Sequence, residues 1–292
     1  MIWLVGNRGM LGTEVHGRLQ RRGLTHVATD LDVDITDMPS LKAFTDPLAL
    51  SWIVNCSAYT AVDRAEDEPE AAFRINAEGV RNLARVAEGK GARLLHISTD
   101  YVFDGRKEGP YLETDPPNPS GVYGRSKLQG EIEIRGNIDR HVILRTAWLY
   151  GSAGANFVRT MLLLFQEKDE VRVVADQWGS PTLAADLADV ILGIITREAV
   201  QYGTFHFTNE GRTNWFEFAG MIRKFACEHG LVTRDVRILP IRTEEYPTKA
   251  VRPANSYLSK EKIKAVFGLT IRPWQEALEE FMNALPAANG GT

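Results

Sequence analysis

Cysteine is scarce in this chain: Cys56 and Cys227 are the only two among 292 residues. So few thiols exclude a disulfide-stapled scaffold and a cysteine-built zinc site, and they suit a reducing cytosol. None of the six histidines lies four residues from another, so the helix-borne ligand pair of a metal hydrolase is missing too. Positive charge is not in excess; the net charge is −4, which leaves no electrostatic footprint for nucleic acid. No apolar run approaches the roughly 20 residues that a membrane span requires. Met1 to Val5 is too short for the apolar core of a signal peptide, and Gly6 and Arg8 interrupt it. The expectation is a cytoplasmic globular protein that binds neither nucleic acid nor membrane.

Glycine, by contrast, clusters at the start. Ile2-Trp3-Leu4-Val5 reads as a short buried strand running into Gly6-Asn7-Arg8-Gly9-Met10-Leu11-Gly12, and Val15 and Leu19 mark one face of a following helix. Strand, glycine loop and helix together aim free backbone N–H groups at a diphosphate. The spacing G-x-x-G-x-x-G departs from the G-x-G-x-x-G fingerprint, yet its place in the first strand-to-helix turn points to a dinucleotide. Gly6, Gly9, Met10, Leu11 and Gly12 are the candidate contacts. A second strand ends at Asp30, about 20 residues past the loop, where an acid suits the adenosine ribose. Arg8 is available to a 2′-phosphate, so NADH and NADPH both stay open. Asp34 and Ile35 fall where the next turn passes the adenine. A third strand, Ser51 to Asn55, leads into Cys56-Ser57-Ala58-Tyr59-Thr60-Ala61-Val62-Asp63. Small residues there let a cofactor lie against the backbone around Ser57, Ala58 and Tyr59, or simply let a helix pack on the sheet.

The centre of the chain carries the chemistry. Arg93 to Ile97 is a buried strand that puts Ser98, Thr99 and Asp100 at its C-terminal end, the edge where open α/β sheets bind ligands. Tyr123 and Lys127 stand four apart at the start of a helical run and share a face. An ammonium one turn from a phenol stabilises the phenolate, which makes the tyrosine a proton donor. Helical spacing runs from Ala71 to Glu88, from about Asn156 to Glu167, from Leu183 to Thr196 and from Asn214 to His229. Strands are expected at His141 to Arg145, Val171 to Val174 and Thr204 to Phe207, and the last helices from about Ser259 and Pro273. Trp148 is either core filler or the wall of a sugar pocket. Arg252 is either a plain surface arginine or the partner of a substrate phosphate. Ala287 to Thr292 reads as a disordered tail.

The glycine loop, Ser98-Thr99-Asp100 and Tyr123-x-x-x-Lys127 resemble the extended short-chain dehydrogenase/reductases. Ser98 to Gly105, Ala58 to Asp63, Gly179 to Thr182 and Arg252 to Ser256 narrow the resemblance to the dTDP-4-dehydrorhamnose reductase family, over nearly the whole chain up to about Leu285. What it implies is an α/β protein: a Rossmann-type, doubly wound parallel sheet with a smaller C-terminal α/β substrate domain. The NAD(P)-binding unit would take residues 1–150 with about 183–208 returning to it, and the substrate unit 151–182 and 209–286. By matching motifs, Thr99, Tyr123 and Lys127 form the catalytic set, and Thr60, Val62, Asp100, Tyr101 and Trp148 line the sugar pocket for a dTDP-sugar. Some members hold a magnesium ion between subunits with acidic side chains. Glu14 matches one of those acids, but Asp186 stands where a glutamate is expected, so no metal is assigned and a homodimer is left open. Sugar-nucleotide 4,6-dehydratases carry a glutamate base where this chain has Tyr101, which argues against them. A different sugar-nucleotide 4-reductase, a 4-epimerase, and a non-catalytic regulatory subunit like that of methionine adenosyltransferase remain as alternatives.

Overall fold

The computed structural model describes residues 1–286, so the expected tail from Ala287 to Thr292 lies outside the described residues. Strand and helix alternate from the start: β1 (Ile2–Val5), α1 (Met10–Arg21), β2 (His26–Thr29), α2 (Met38–Thr45) and β3 (Trp52–Asn55). Two short helices, α3 (Val62–Ala65) and α4 (Pro69–Phe73), precede α5 (Val80–Gly89), β4 (Arg93–Thr99), α6 (Val122–Asn137) and β5 (His141–Thr146). Then come β6 (Leu149–Tyr150), α7 (Phe157–Glu167), β7 (Glu170–Val174), β8 (Trp178–Gly179), β9 (Thr182–Leu183), α8 (Ala184–Ile195) and β10 (Gly203–His206). The chain closes with β11 (Thr213–Asn214), α9 (Trp215–Glu228), β12 (Arg237–Ile241), α10 (Glu261–Phe267) and α11 (Trp274–Asn283).

Six parallel strands form the central sheet in the order β10-β5-β4-β3-β1-β2. Every residue of β1, β3 and β5 is buried. Their unbroken apolar runs follow from helices covering both faces. On one face α1 and α8 pack Val15, Leu19 and Leu187 against Leu4 and Leu144. On the other, α2, α5 and α6 bring Leu41, Leu83 and Ile134 to Trp3, Ile53 and Ile143. Strand order reverses between β1 and β3, which opens a crevice beyond their C-terminal ends. A separate core joins α7, α9 and α11 through Phe165, Phe218, Ile222 and Leu278, with Val171 and Val173 of β7. Helix α10 departs from the expected division. It falls within 209–286, but Ile263 and Phe267 pack on Phe205 in the sheet's core.

The helix expected from Ala71 to Glu88 is interrupted by a wider π turn at Arg74–Gly79, a feature common at functional sites. Gly79 lets this turn press on the loop after β2, since a Cβ there would lie 2.6 Å from the Ile35 side chain. The turn also aims the buried Asn76 amide at the segment after β3: Asn76 accepts from Tyr59 N at 2.9 Å and donates to Ser126 Oγ at 3.0 Å. Among the described residues no helix is long and apolar enough to cross a membrane.

Candidate functional site

A cleft of about 920 Å³ opens at the reversal point. The turn after β1 forms one wall. Gly6 has φ +80° and sits so close to the next loop that a Cβ would lie 2.7 Å from Ser57 N. Gly12 is tighter still, because its Cβ would stand 1.9 Å from Gly6 O. These two glycines serve the turn itself. Gly9 has room for a Cβ, the nearest atom being Gly6 O at 3.5 Å, and it precedes α1 with no side-chain cap. The first N–H groups of α1 are thus free for an anion.

Gly6, Gly9, Met10, Leu11, Asp30, Asp34, Ile35, Ser57 and Ala58 all line the cleft. Asp30 accepts a hydrogen bond from Arg8 N at 2.9 Å and so ties the end of β2 to the glycine turn. Asp34 is held below the usual carboxylate range, first by the Thr36 N–H at 2.8 Å and then by the Thr36 hydroxyl. Two expected contacts are not part of the wall. Gly12 packs inside the turn, and Tyr59 points its hydroxyl at Glu68, 2.9 Å away. Leu31, Arg74 and Ile75 line the cleft without having been singled out. Arg74 reads in sequence as one more polar residue of a long helix; it is exposed at the start of the π turn and borders the cleft.

Thr99, Tyr123 and Lys127 reach the same cleft from β4 and α6. The Thr99 hydroxyl donates to Asp100 Oδ1 at 2.9 Å and accepts from Tyr101 N at 3.2 Å. Burial pushes the Tyr123 phenol above its ordinary value, with a hydrogen bond to Thr99 opposing it. The spacing led to the opposite expectation, a phenol lowered by Lys127. Burial wins because Lys127 Nζ is drawn to the Ile97 carbonyl at 2.7 Å. Burial also brings Lys127 itself down to about 8. Beneath them Glu131 takes two bonds from Arg145, at 2.8 and 2.7 Å, and one from Ser98 at 2.6 Å. That fully buried ion pair fastens α6 to the ends of β4 and β5.

A second cavity, about 440 Å³, shares Asp100, Tyr101 and Trp148 with the first. Thr60 and Val62 face the larger cleft, whereas Arg252 faces the smaller one. Trp148 has φ +49°, the one non-glycine residue in that region among those described. It stacks on Trp215 with ring centroids 3.7 Å apart. Backbone strain held in place by packing is what functional sites concentrate. Arg252 pairs with Asp63 and donates to the Tyr101 hydroxyl at 3.1 Å. Asp100 Oδ2 is buried without a partner, and burial pushes that carboxyl up to about 6. Asp63 closes the Ala58 to Asp63 motif but carries no role in the sequence, and Trp215 gives no signal there, since it follows an Asn cap and looks like any first-turn residue of an amphipathic helix.

The acids that the resemblance connects with magnesium are each engaged within the chain. Glu14 is taken by Arg18 and Ser152, and Asp186 by Arg272 and Asn209. Each carboxylate already has its cation. Among the described residues no three acidic, histidine or cysteine side chains are grouped to hold a metal.

Residues 1–286 match the family model described as the RmlD substrate binding domain. A dTDP-4-dehydrorhamnose reductase of Aggregatibacter actinomycetemcomitans is 41% identical over 282 residues, covering 94% of this chain and 96% of that one. The crystal structure of a dTDP-4-dehydrorhamnose reductase from Clostridium acetobutylicum superposes with a TM-score of 0.91 at 39% identity, covering 97% and 98% of the two chains. Another, from Bacillus anthracis in complex with NADP, gives 0.90 at 38% identity, covering 96% and 97%. In motif, fold and matched length alike, the chain belongs to the RmlD family of dTDP-4-dehydrorhamnose reductases.

Proposed function

We propose that this chain uses NAD(P)H to reduce the C4 carbonyl of dTDP-4-dehydro-6-deoxy-L-mannose to dTDP-L-rhamnose. One observation carries the reading: a dinucleotide-sized cleft holding Thr99, Tyr123 and Lys127 meets a second cavity at Asp100, Tyr101 and Trp148. The glycine turn and the uncapped start of α1 would hold the cofactor's diphosphate, Asp30 its adenosine ribose, and Lys127 the nicotinamide ribose. When bound, the nicotinamide supplies the hydride.

The protein's own part is position and protons. Tyr123 gives its proton to the alkoxide that forms at C4, an aid typically worth about 10²–10⁴-fold. A phenol raised by burial stays protonated until that alkoxide appears. Thr99, turning its hydroxyl proton from Asp100, donates to the same oxygen and fixes the carbonyl. Arg252 leaves Asp63 for the sugar-nucleotide diphosphate, and the stacked Trp148 and Trp215 wall the cavity. Tyr101, pushed up to about 12 by burial, has no capacity to act as the carboxylate base of a dehydratase.

The cofactor unit comprises residues 1–150, the returning segment 183–208 and helix α10, with 151–182 and the remainder of 209–286 forming the substrate unit. All the groups above come from one chain, so a homodimer is not needed for the chemistry. The half-buried Cys56 and the exposed Cys227 are both unpaired, in keeping with a cytoplasmic enzyme.

The test is cofactor consumption by the purified protein with dTDP-4-dehydro-6-deoxy-L-mannose, followed by NMR identification of the product. Formation of dTDP-L-rhamnose supports the proposal. A C4 epimer of that product assigns a different 4-reductase. No turnover, together with tight capture of a methionine adenosyltransferase, assigns the regulatory role.

A further inference from the structure

Behind Lys127 the buried Asn55 and His96 form a row of polar groups whose direction is set by one fixed donor, the half-buried Ser57. The Ser57 backbone N–H and hydroxyl both donate to Asn55 Oδ1, at 3.0 and 2.6 Å. A backbone N–H only donates, so that atom is the amide oxygen and the nitrogen is the end facing His96. Asn55 Nδ2 lies 3.0 Å from His96 Nδ1. An amide nitrogen only donates as well, so His96 Nδ1 carries the lone pair. The ring has no exposed surface, and burial holds it well below the usual imidazole value. A neutral imidazole keeps one proton, which must sit on Nε2. That nitrogen is 3.3 Å from Lys127 Nζ. An N–H aimed there suits the lone pair of an amine and opposes an ammonium.

We propose that His96 is a positioning residue for Lys127: fixed by Asn55 with its proton on Nε2, it donates to Nζ and favours the neutral amine in the cofactor-free enzyme. The proposal rests on the reading of Lys127 as part of the reductase site. The groups around Nζ agree with it. From the turn after β3, Cys56 is a thiol pushed up to about 12 by burial, hence uncharged. From α6, Glu131 is already committed to Arg145 of β5 and Ser98 of β4. From β4, the Ile97 carbonyl accepts from Nζ at 2.7 Å, which an amine satisfies as well as an ammonium. No uncommitted anion is left to hold a positive charge. Each carbonyl reduced consumes one proton, given first by Tyr123, whose phenolate must regain one from solvent. A lysine with amine and ammonium close in energy accommodates that cycle without net change.

Two measurements on the full chain test this. In protein labelled with ¹⁵N-histidine, His96 is expected to show a protonated Nε2 and a bare Nδ1 across neutral pH. The reverse tautomer, or a doubly protonated ring, overturns the proposal. In protein labelled with ¹³C-lysine, the Lys127 signal, identified by its loss in Lys127→Met, is followed through pH titration. His96→Phe removes the donor to the amine, so that titration should move upward, by up to about one pH unit if a single hydrogen bond is lost. The alkaline limb of the kcat/KM profile should move with it. A downward move means that an ammonium had lost an acceptor, and with an unmoved titration it refutes the assignment. If His96→Phe fails to fold, the tautomer measurement decides alone. Neither signal depends on sugar turnover, so loss of the proposed function and loss of this inference are separate results.

Discussion

Replacing Gly12 and Gly9 one at a time separates the two jobs of the glycine turn. A methyl on Gly12 would stand 1.9 Å from Gly6 O, 2.8 Å from Gly6 C and 2.9 Å from Asn7 Cα, where real contacts stay above 3.0 Å. All three neighbours are backbone, so no side chain can swing aside and the turn itself must move by about 1 Å. Overpacking of this kind costs about 1–3 kcal/mol. In a chain of this size each kcal/mol lowers Tm by about 2–4 °C, so Gly12→Ala should lose several degrees and much of its cofactor affinity. Gly9→Ala has only an ordinary contact at 3.5 Å, and its φ of −69° suits any residue. Alanine caps a helix less well than glycine. The reduced freedom of the unfolded chain returns about 0.4–1 kcal/mol, so Tm should hardly change. Its methyl nevertheless stands beside the free N–H groups of α1, and NADPH affinity should fall at least tenfold, about 1.4 kcal/mol. Thermal melts with and without NADPH, beside fluorescence titration, read both effects. Wild-type stability in Gly12→Ala refutes the close approach to Gly6, and wild-type NADPH binding in Gly9→Ala refutes the diphosphate's placement.

Tyr123→Phe should keep cofactor binding while kcat falls about 10²-fold or more; steady-state turnover at the wild-type rate would remove Tyr123 as the acid. Arg252→Ala should raise KM for the sugar nucleotide tens-fold, since a charge-assisted bond is worth about 1.5–3 kcal/mol, and unchanged sugar-nucleotide binding contradicts the phosphate role. Asp100 supplies the pH dependence: its carboxyl is raised from 3.8 to about 6 on folding, so the unfolded chain releases that proton first. Stability should therefore decline as pH rises from about 4 to about 6, by at most roughly 3 kcal/mol, and Asp100→Asn should abolish that decline. Urea melts across this range that are identical in the two proteins would show that Asp100 is not strained.

What was legible in the sequence was what covalent neighbours dictate. The turn from Gly6 to Gly12 sits between a strand and a helix adjacent in the chain, so its place at the sheet edge follows without tertiary information. Ser98-Thr99-Asp100 behaves alike, because an apolar run fixes which end of β4 it occupies. Direction across the fold was not legible. Arg74 and Asn76 have the spacing of a regular helix, and only the π turn at Arg74–Gly79 aims Asn76 at Tyr59. Trp215 and Trp148 lie 67 residues apart, so their stacking has no local signature. Strand β12 was not anticipated at all. Its residues Arg237 to Ile241 alternate weakly, include Pro240, and are strand only because they pair in parallel with β7. The Tyr123 phenol shows the same limit, since spacing reveals a neighbour at i+4 while the shift follows burial.

In the second cavity Arg252 pairs with Asp63. Arg252 is 21% exposed and Asp63 44%, and a pair so open to solvent is worth about 0–1 kcal/mol. A guanidinium bond to a diphosphate is worth about 1.5–3 kcal/mol, so under the proposed function the sugar nucleotide would displace Asp63. Until then the pair has a use. Asp63 also accepts from Ala250 N at 3.1 Å, and Lys249 reaches the neighbouring Asp67. These bonds hold the segment bearing Arg252 against α3, so the guanidinium waits at the cavity wall with much of its freedom already lost. Pre-organisation of that kind lowers the entropy cost of binding more than it raises contact energy. In the proposed exchange, with Arg252 turned to the diphosphate, Asp63 would keep its backbone bond to Ala250, so the segment that carries the arginine would stay in place.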